Sequence, residues 1–390
     1  MSTPQDFENY PDLANRQLAG SVIWASDESF AERENLIMPH EPAFDPALFG
    51  NKGKVYDGWE TRRRRHEEIG HNDAAIVRLG VPGHIRGVVV DTSWFTGNYP
   101  PQFAVKGICI DDYLPADEIA ALPDSEWFDL VGVTDAQGDT RHAVAIDPDS
   151  AAGQTRVTHV KLIMIPDGGI ARLRVHGIPA PNPQFLGSTV DLAAIEHGGW
   201  VTECSNMFYS SPNQILSLGR AINMGGGWEN ARRRNGGNDH VVIRLAGESV
   251  PEFVEVDTSY FVFNAPGDIR LTGWNAGGAG VDDGSGGGAG GDADGSDAGA
   301  GGAGGAGDDG SAGDDGSAGS NAGPEIIELV SKRRVLPDTR HRFAVSEEAR
   351  DLPITHVRLD VYPDGGLARL RVFGSLTNAG LRELEARWER

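Results

Sequence analysis

The chain has 390 residues, enough for two domains of ordinary size, and a formal net charge of −23. That acidic balance argues against nucleic acid as a partner, and no apolar run reaches the roughly 18 residues that a membrane-spanning helix needs. Residues 1–15 are polar and acidic, with no basic-then-apolar secretion pattern, so a soluble cytoplasmic protein that binds no membrane is expected.

Taken in chain order, the sequence says the same thing twice. Gly58-Trp59-Glu60 followed by Arg63-Arg64-Arg65 returns as Gly227-Trp228-Glu229 followed by Arg232-Arg233-Arg234. Val90-Asp91-Thr92-Ser93-Trp94-Phe95 returns as Val256-Asp257-Thr258-Ser259-Tyr260-Phe261. Thr158-His159-Val160, leading to Pro166-Asp167-Gly168-Gly169 and Ala171-Arg172-Leu173-Arg174-Val175, returns as Thr355-His356-Val357, Pro363-Asp364-Gly365-Gly366 and Ala368-Arg369-Leu370-Arg371-Val372. Three matching blocks in one order are an internal duplication, and each copy is too long for a solenoid unit, so two similar domains are expected.

The local signals are β. Short β-branched runs end at Asp91 and Asp257, and residues 160–165 stop at a Pro-Asp-Gly turn before period-two alternation resumes at 171–175. The spacing predicts a hairpin there and again around Pro363-Asp364-Gly365-Gly366. Many short strands with Gly, Pro and Asn punctuation indicate an all-β chain of two sandwiches. The prolines at 179, 181 and 183 divide the copies, placing the first at 16–178 and the second at 190–374.

Residues 276–323 are almost wholly Gly, Ala, Asp and Ser, and composition predicts disorder. Nine aspartates fall between Asp282 and Asp315 with no Lys or Arg among them. Leu130 follows Asp91 by 39 residues, whereas the matching Leu329 follows Asp257 by 72, so the tract is an insertion inside the second copy and not a linker between copies. At 375–390 a short helix is expected, with Leu381, Leu384 and Trp388 on one face as a docking or oligomer element. Cys109 and Cys204 are too few for a disulfide framework and are expected to be buried thiols.

No metalloprotease, phosphate-loop or nucleophile-elbow signature is present, and the histidines do not cluster at metal-ligand spacing, so no metal or cofactor is required. The chemistry is sought in the repeated blocks. Glu60 and Glu229 are candidate acids or bases. On an extended segment Arg63 and Arg65, like Arg232 and Arg234, share one side and could fork a carboxylate, or else pair with the neighbouring glutamates or face solvent. Asp91 and Asp257 end a strand and either cap a turn or act as a general base. Asn98 and Asn264 follow those aspartates at equal distance as candidate ligand-binding amides. The paired His159 and His356 are read mainly as structural, whereas His142 and His341, also retained in both copies, could be an acid or base or equally well core contacts.

The blocks Asp57-Gly58-Trp59-Glu60-Thr61-Arg62-Arg63-Arg64, Ile76-Val77-Arg78-Leu79-Gly80 and Val90-Asp91-Thr92-Ser93-Trp94-Phe95-Thr96-Gly97-Asn98-Tyr99-Pro100, with the two Pro-Asp-Gly-Gly turns, resemble the allantoicase family over nearly the whole chain. The chain departs from the family's Gly-His-Asp-Trp pattern with His71-Asn72-Asp73-Ala74 and Gly237-Asn238-Asp239-His240. The resemblance implies two tandem jelly-roll, galactose-binding-like sandwiches, hydrolysis of allantoate to ureidoglycolate and urea, and a homo-oligomer. On it, Glu60, Asp91, Glu229 and Asp257 become the acid and base candidates, and Arg63, Arg65, Asn98, Arg232 and Arg234 the substrate-binding ones, in two sites or one shared. The competing reading is a non-catalytic tandem module that binds carbohydrate or a ureide.

Overall fold

The computed structural model describes residues 6–65, 70–277 and 324–390. The first copy is built from β1 (Ser21–Ala25), β2 (Asp73–Asp91), β3 (Gln102–Ile108), β4 (Phe128–Asp135), β5 (Arg141–Ala145), β6 (Arg156–Ile165) and β7 (Arg172–Pro179). The second repeats them as β8 (Trp200–Cys204), β9 (Asp239–Asp257), β10 (Asp268–Trp274), β11 (Ile327–Arg334), β12 (Arg340–Ala344), β13 (Ile354–Tyr362) and β14 (Arg369–Leu376). All these pairings are antiparallel, and each copy is a jelly-roll sandwich.

The organising element is the 19-residue strand β2. Its first residues, Asp73–Arg78, run between β1 and β6 in a five-stranded layer ordered β1-β2-β6-β3-β4. Its last residues, 87–91, run between β5 and β7 in a second layer. The register slips between Arg78 and Gly83, where the strand passes from one layer to the other, as corner-turning strands do at a bulge. Leu173 and Val175 of β7 face Val88 and Val90 across the second layer and close the core with Val77, Val160 and Leu162 from the first. Their burial follows from the alternation read in the sequence.

The expected Pro-Asp-Gly hairpins are not hairpins. β6 pairs with β2 and β3, whereas β7 pairs with the far half of β2, so Pro166-Asp167-Gly168-Gly169 crosses the end of the sandwich from one layer to the other. Period-two alternation identifies a strand but does not name its partner. β13 and β14 repeat this arrangement on β9.

Strands β10 and β11 are hydrogen-bonded neighbours, so the acidic tract leaves and re-enters within one sheet of the second copy. The predicted disorder of that tract falls on 278–323, outside the described residues. The first copy takes in chain before residue 16: Leu13 and Ala14 are fully buried, and Leu13 N donates to Val175 O. Cys109 is exposed just beyond the end of β3, and Cys204 is half-buried with its thiol on Asn206 O, which corrects the expectation of two buried thiols. The C-terminal helix, Asn378–Trp388, buries Leu384 and Arg387 and lies across both copies. No helix among the described residues is long and apolar enough to cross a membrane.

Candidate active site

Three repeated blocks that are far apart in sequence converge at one end of each sandwich. In the first copy Glu60 lies on the short strand Trp59–Glu60, which pairs with Gly169–Ile170 of the crossover and bridges to Ala31. Trp59 is the anchor: its ring is fully buried and its Nε1 donates to Asp27 O at 2.8 Å. Because side chains alternate on an extended segment, burying Trp59 turns Glu60 the other way, to the half-buried rim. The crossover is fixed against both other blocks, with Thr61 N on Gly168 O at 3.0 Å and Gly169 N on Asn98 O at 2.7 Å. Gly169 has to be glycine, since a Cβ there would overlap the Phe95 ring.

At this junction Asn98 Nδ2 donates to Glu60 Oε1 at 2.7 Å. Burial raises the Glu60 carboxyl above the usual range, against the opposing pull of the Asn98 hydrogen bond and the Arg63 charge. The second copy repeats the contact, with Asn264 Nδ2 on Glu229 Oε1 at 2.6 Å. Each glutamate is thus completed by the amide of its own copy.

The arginine triplets divide by alternation. Arg64 pairs with the fully buried Asp73, which also accepts from Ser26 Oγ at 2.6 Å, and Arg233 Nη2 pairs with Asp239 at 2.5 Å. Their backbone N–H groups donate to Asp167 and Asp364 of the crossovers, both at 2.7 Å. These middle arginines fasten the segment, which leaves Arg63 and Arg65, and Arg232 and Arg234, exposed on either side. The aspartates that replace nothing in the family's His-Asp pattern, Asp73 and Asp239, are therefore structural anchors.

Asp91 and Asp257 are placed differently. Asp91 Oδ1 accepts from Ser93 N at 2.8 Å and Ser93 Oγ at 2.6 Å, and Asp257 Oδ1 accepts from Ser259 N at 2.8 Å. Both side chains cap the turns that follow their strands. The charged neighbours felt by Asp91 include Arg141 and Arg174, whereas those of Glu60 are Arg63 and Tyr56, so the two carboxylates sit in different surroundings. The loop after Asp91 is held taut: Trp94 has φ 71° and its N–H donates to Asp139 Oδ1 at 2.8 Å, and Tyr260 repeats this with φ 70° and Asp338.

The paired histidines are structural. His142 Nε2 accepts from Gln137 N at 2.9 Å, which leaves the proton on Nδ1 facing Val90 O, and His341 does the same between Leu336 N and Val256 O. His159 lies against Thr158 Oγ1 at 2.9 Å, and burial with the Arg78 charge nearby pushes it down to about 4, so it is neutral at physiological pH.

Reasoning from the sequence missed Arg172 and Arg369. Arg172 is buried and donates to His40 O and Asp57 O, both at 3.0 Å, and to Asp57 Oδ2 at 2.7 Å, fastening both ends of the loop over residues 40–57. Arg369 fastens the shorter loop of the second copy through Gly219 O and Gly226 O. Duplication marks both arginines, but nothing local reveals that their partners lie more than a hundred residues away. Tyr56 was missed because it has no counterpart in the second copy. Among the described residues no three His, Cys, Asp or Glu gather in a metal-holding group.

A half-buried carboxyl with a raised proton affinity, held by an amide beside exposed guanidinium groups, has the composition of an acid–base site for a small polar anion at the rim of a β-sandwich. The family model described as the allantoicase repeat matches residues 11–180 and 190–377, the two copies in turn. A probable allantoicase of Nocardia farcinica is 48% identical over 374 residues, covering 96% of each chain, and one of Streptomyces coelicolor is 40% identical, covering 98% of this chain and 89% of that one. The crystal structure of allantoicase from Saccharomyces cerevisiae superposes with a TM-score of 0.69 at 29% identity, covering 93% of this chain and 92% of that one. The chain belongs to the allantoicase family.

Proposed function

We propose that this chain hydrolyses allantoate to ureidoglycolate and urea, and that Glu60 carries the proton. The contact that supports this reading is Asn98 to Glu60 at 2.7 Å, made where all three repeated blocks meet and made again in the second copy.

Allantoate bears two ureido groups on one carbon, so release of intact urea requires breaking the bond from that carbon to nitrogen. The protonated Glu60 donates to the departing ureido nitrogen, the C–N bond breaks with its electron pair leaving in urea, and the lone pair of the remaining ureido nitrogen supports the electron-poor carbon. Water then adds to that carbon and returns its proton to the Glu60 carboxylate. One carboxyl serves both half-steps, and no covalent nucleophile is involved. Asn98 orients the carboxyl, and Arg63 and Arg65 hold the substrate carboxylate. Asp91 supports the loop that carries Asn98. Hydrolysis in ¹⁸O-labelled water is expected to give unlabelled urea and ureidoglycolate labelled at its new hydroxyl. Label in the urea oxygen, or no urea released from allantoate, overturns the reading.

A further inference from the structure

We propose that the two copies have diverged in duty: turnover takes place in the first, where Tyr56 and its loop wall off Glu60, and not at the matching carboxylate of the second. The proposal rests on the reading that Glu60 and Asn98 act on allantoate.

The divergence lies between two equivalent points, the 3₁₀ turns Arg33–Ile37 and Pro212–Leu216 and the Gly-Trp-Glu blocks that follow them. Twenty positions separate Met38 from Gly58, whereas ten separate Ser217 from Gly227. The extra chain is built in firmly. Arg172 fastens it at His40 and Asp57, Trp94 Nε1 donates to Pro42 O at 2.9 Å, and Ala43 N donates to Asp57 Oδ2 at 2.9 Å.

What this loop delivers is a run of four stacked rings beside Glu60. Trp94 lies on Phe44 at 5.6 Å, Phe44 on Tyr56 at 5.2 Å and Tyr56 on Phe95 at 4.7 Å, with interplanar angles of 21–24°. Tyr56 stacks on Phe95, whose ring packs against Gly58 and against Gly169, the residue paired with Glu60; burial, with the Glu60 charge nearby, raises the phenol above its usual range. In the second copy Gly225 stands where Tyr56 does, and there is no counterpart of Phe44. The Asn264 amide that holds Glu229 reaches Met224 Sδ at 3.6 Å, and around it Ile222 is 78% and Phe263 97% exposed. The same half-buried Glu–Asn pair therefore stands beside an aromatic wall in one copy and lacks Phe44 and Tyr56 in the other.

The difference is chemical. An acid donates to a departing nitrogen only in its protonated form, and holding water off a carboxyl increases the share that keeps its proton. Among the described residues, the charged and titratable groups that act on Glu60 are Tyr56 from the loop and Arg63 from its own segment; Asp167 of the crossover is engaged by Arg64 N. Arg63 favours the ionised form, and the aromatic wall opposes it. Glu229 lacks that wall.

The test is kcat and KM for urea release from allantoate by the full-length chain across pH. Glu60→Gln, which preserves shape, is expected to lose at least about 100-fold in kcat with KM little changed, and Glu229→Gln to stay within about threefold of the unsubstituted chain. Equal losses from both would overturn the division of duty while leaving the Glu–Asn reading standing; no loss from either would remove the reading itself. Tyr56→Gly, which copies the second site, is expected to move the alkaline limb of kcat/KM to lower pH, because a wetter Glu60 releases its proton sooner. Tyr56→Phe keeps the wall and should leave the limb in place. A limb unmoved in a folded Tyr56→Gly chain would overturn the role given to Tyr56, and the isosteric glutamine pair decides between the copies if that variant does not fold.

Discussion

At the scale of single residues, the site is a matter of which polar atoms are already engaged. Asp91 spends Oδ1 on Ser93 N and Ser93 Oγ, so its first duty is to shape the turn leading to Asn98. An asparagine supplies the same acceptor without a titratable group. Asp91→Asn is therefore expected to retain urea release within about threefold, while Asp91→Ala is expected to lose about 1 kcal/mol of stability from the uncapped turn. Steady-state kinetics beside urea denaturation separates the two effects, and a collapse of kcat in a stable Asp91→Asn chain would restore Asp91 as a base. The duplicated blocks made Glu60, Asn98 and the flanking arginines legible in the sequence, because duplication singled out paired polar residues. It also singled out His142, which bridges Gln137 N and Val90 O, and Asp91, which caps the Ser93 turn, since a copied fold preserves its braces as faithfully as its chemistry. Tyr56 was invisible for the opposite reason, having no pair.

The element on which the site depends is the crossover between β6 and β7. Its Pro-Asp-Gly-Gly sequence was legible as a tight reversal and was read as a hairpin, but the partner of β7 is the far half of β2, more than eighty residues earlier. Nor did the sequence join the Ile76-Leu79 run to the one ending at Asp91. Gly80-Val81-Pro82-Gly83 looks like punctuation between two strands, and in the fold it is the corner of one. What the crossover contributes is position: it holds Glu60 by pairing at Gly169, Asn98 through its carbonyl, and Arg64 through Asp167. Packing of the Phe95 ring on Gly169 leaves no space for a side chain. Gly169→Ala is expected to cost about 2–3 kcal/mol, as overpacking of a close ring-on-backbone contact does, and to lower kcat by moving Glu60 from Asn98. Gly366→Ala, which would meet Phe261 in the same way, is expected to cost as much stability and leave kcat nearly unchanged. Denaturation midpoints and kcat measured on both variants test the element and its contribution together.

For the molecule as a whole, the duplication raises the question of what makes two sandwiches one body. A continuous apolar cluster runs from Leu13 and Val175 of the first copy to Leu192, Ile195 and Ile215 of the second. Over it the C-terminal helix acts as a clasp. Trp388 lies on the Arg156 guanidinium at 3.6 Å, Arg156 Nε donates to Trp388 O at 2.7 Å, and His84 Nε2 lies 2.8 Å from Arg387 O. The helix turns Leu384 inward, but its key side chain is Arg387, which a hydrophobic reading passes over. Burial beside Arg244 pushes that guanidinium down to about 10, so it stays charged at neutral pH, donating to Pro179 O and Gly198 O and pairing with Glu383 at 3.1 Å. Arg387→Ala strands two carbonyls and removes a cation from the Trp200 ring, while Arg244 still holds Glu383. The expected loss is roughly 3 kcal/mol, or about 4 °C in Tm for a chain of this size. Because the apolar cluster remains unbroken, calorimetry should still give a single transition. Two separated transitions would mean that the clasp, and not the shared core, couples the copies; an unchanged Tm would mean that the core alone does.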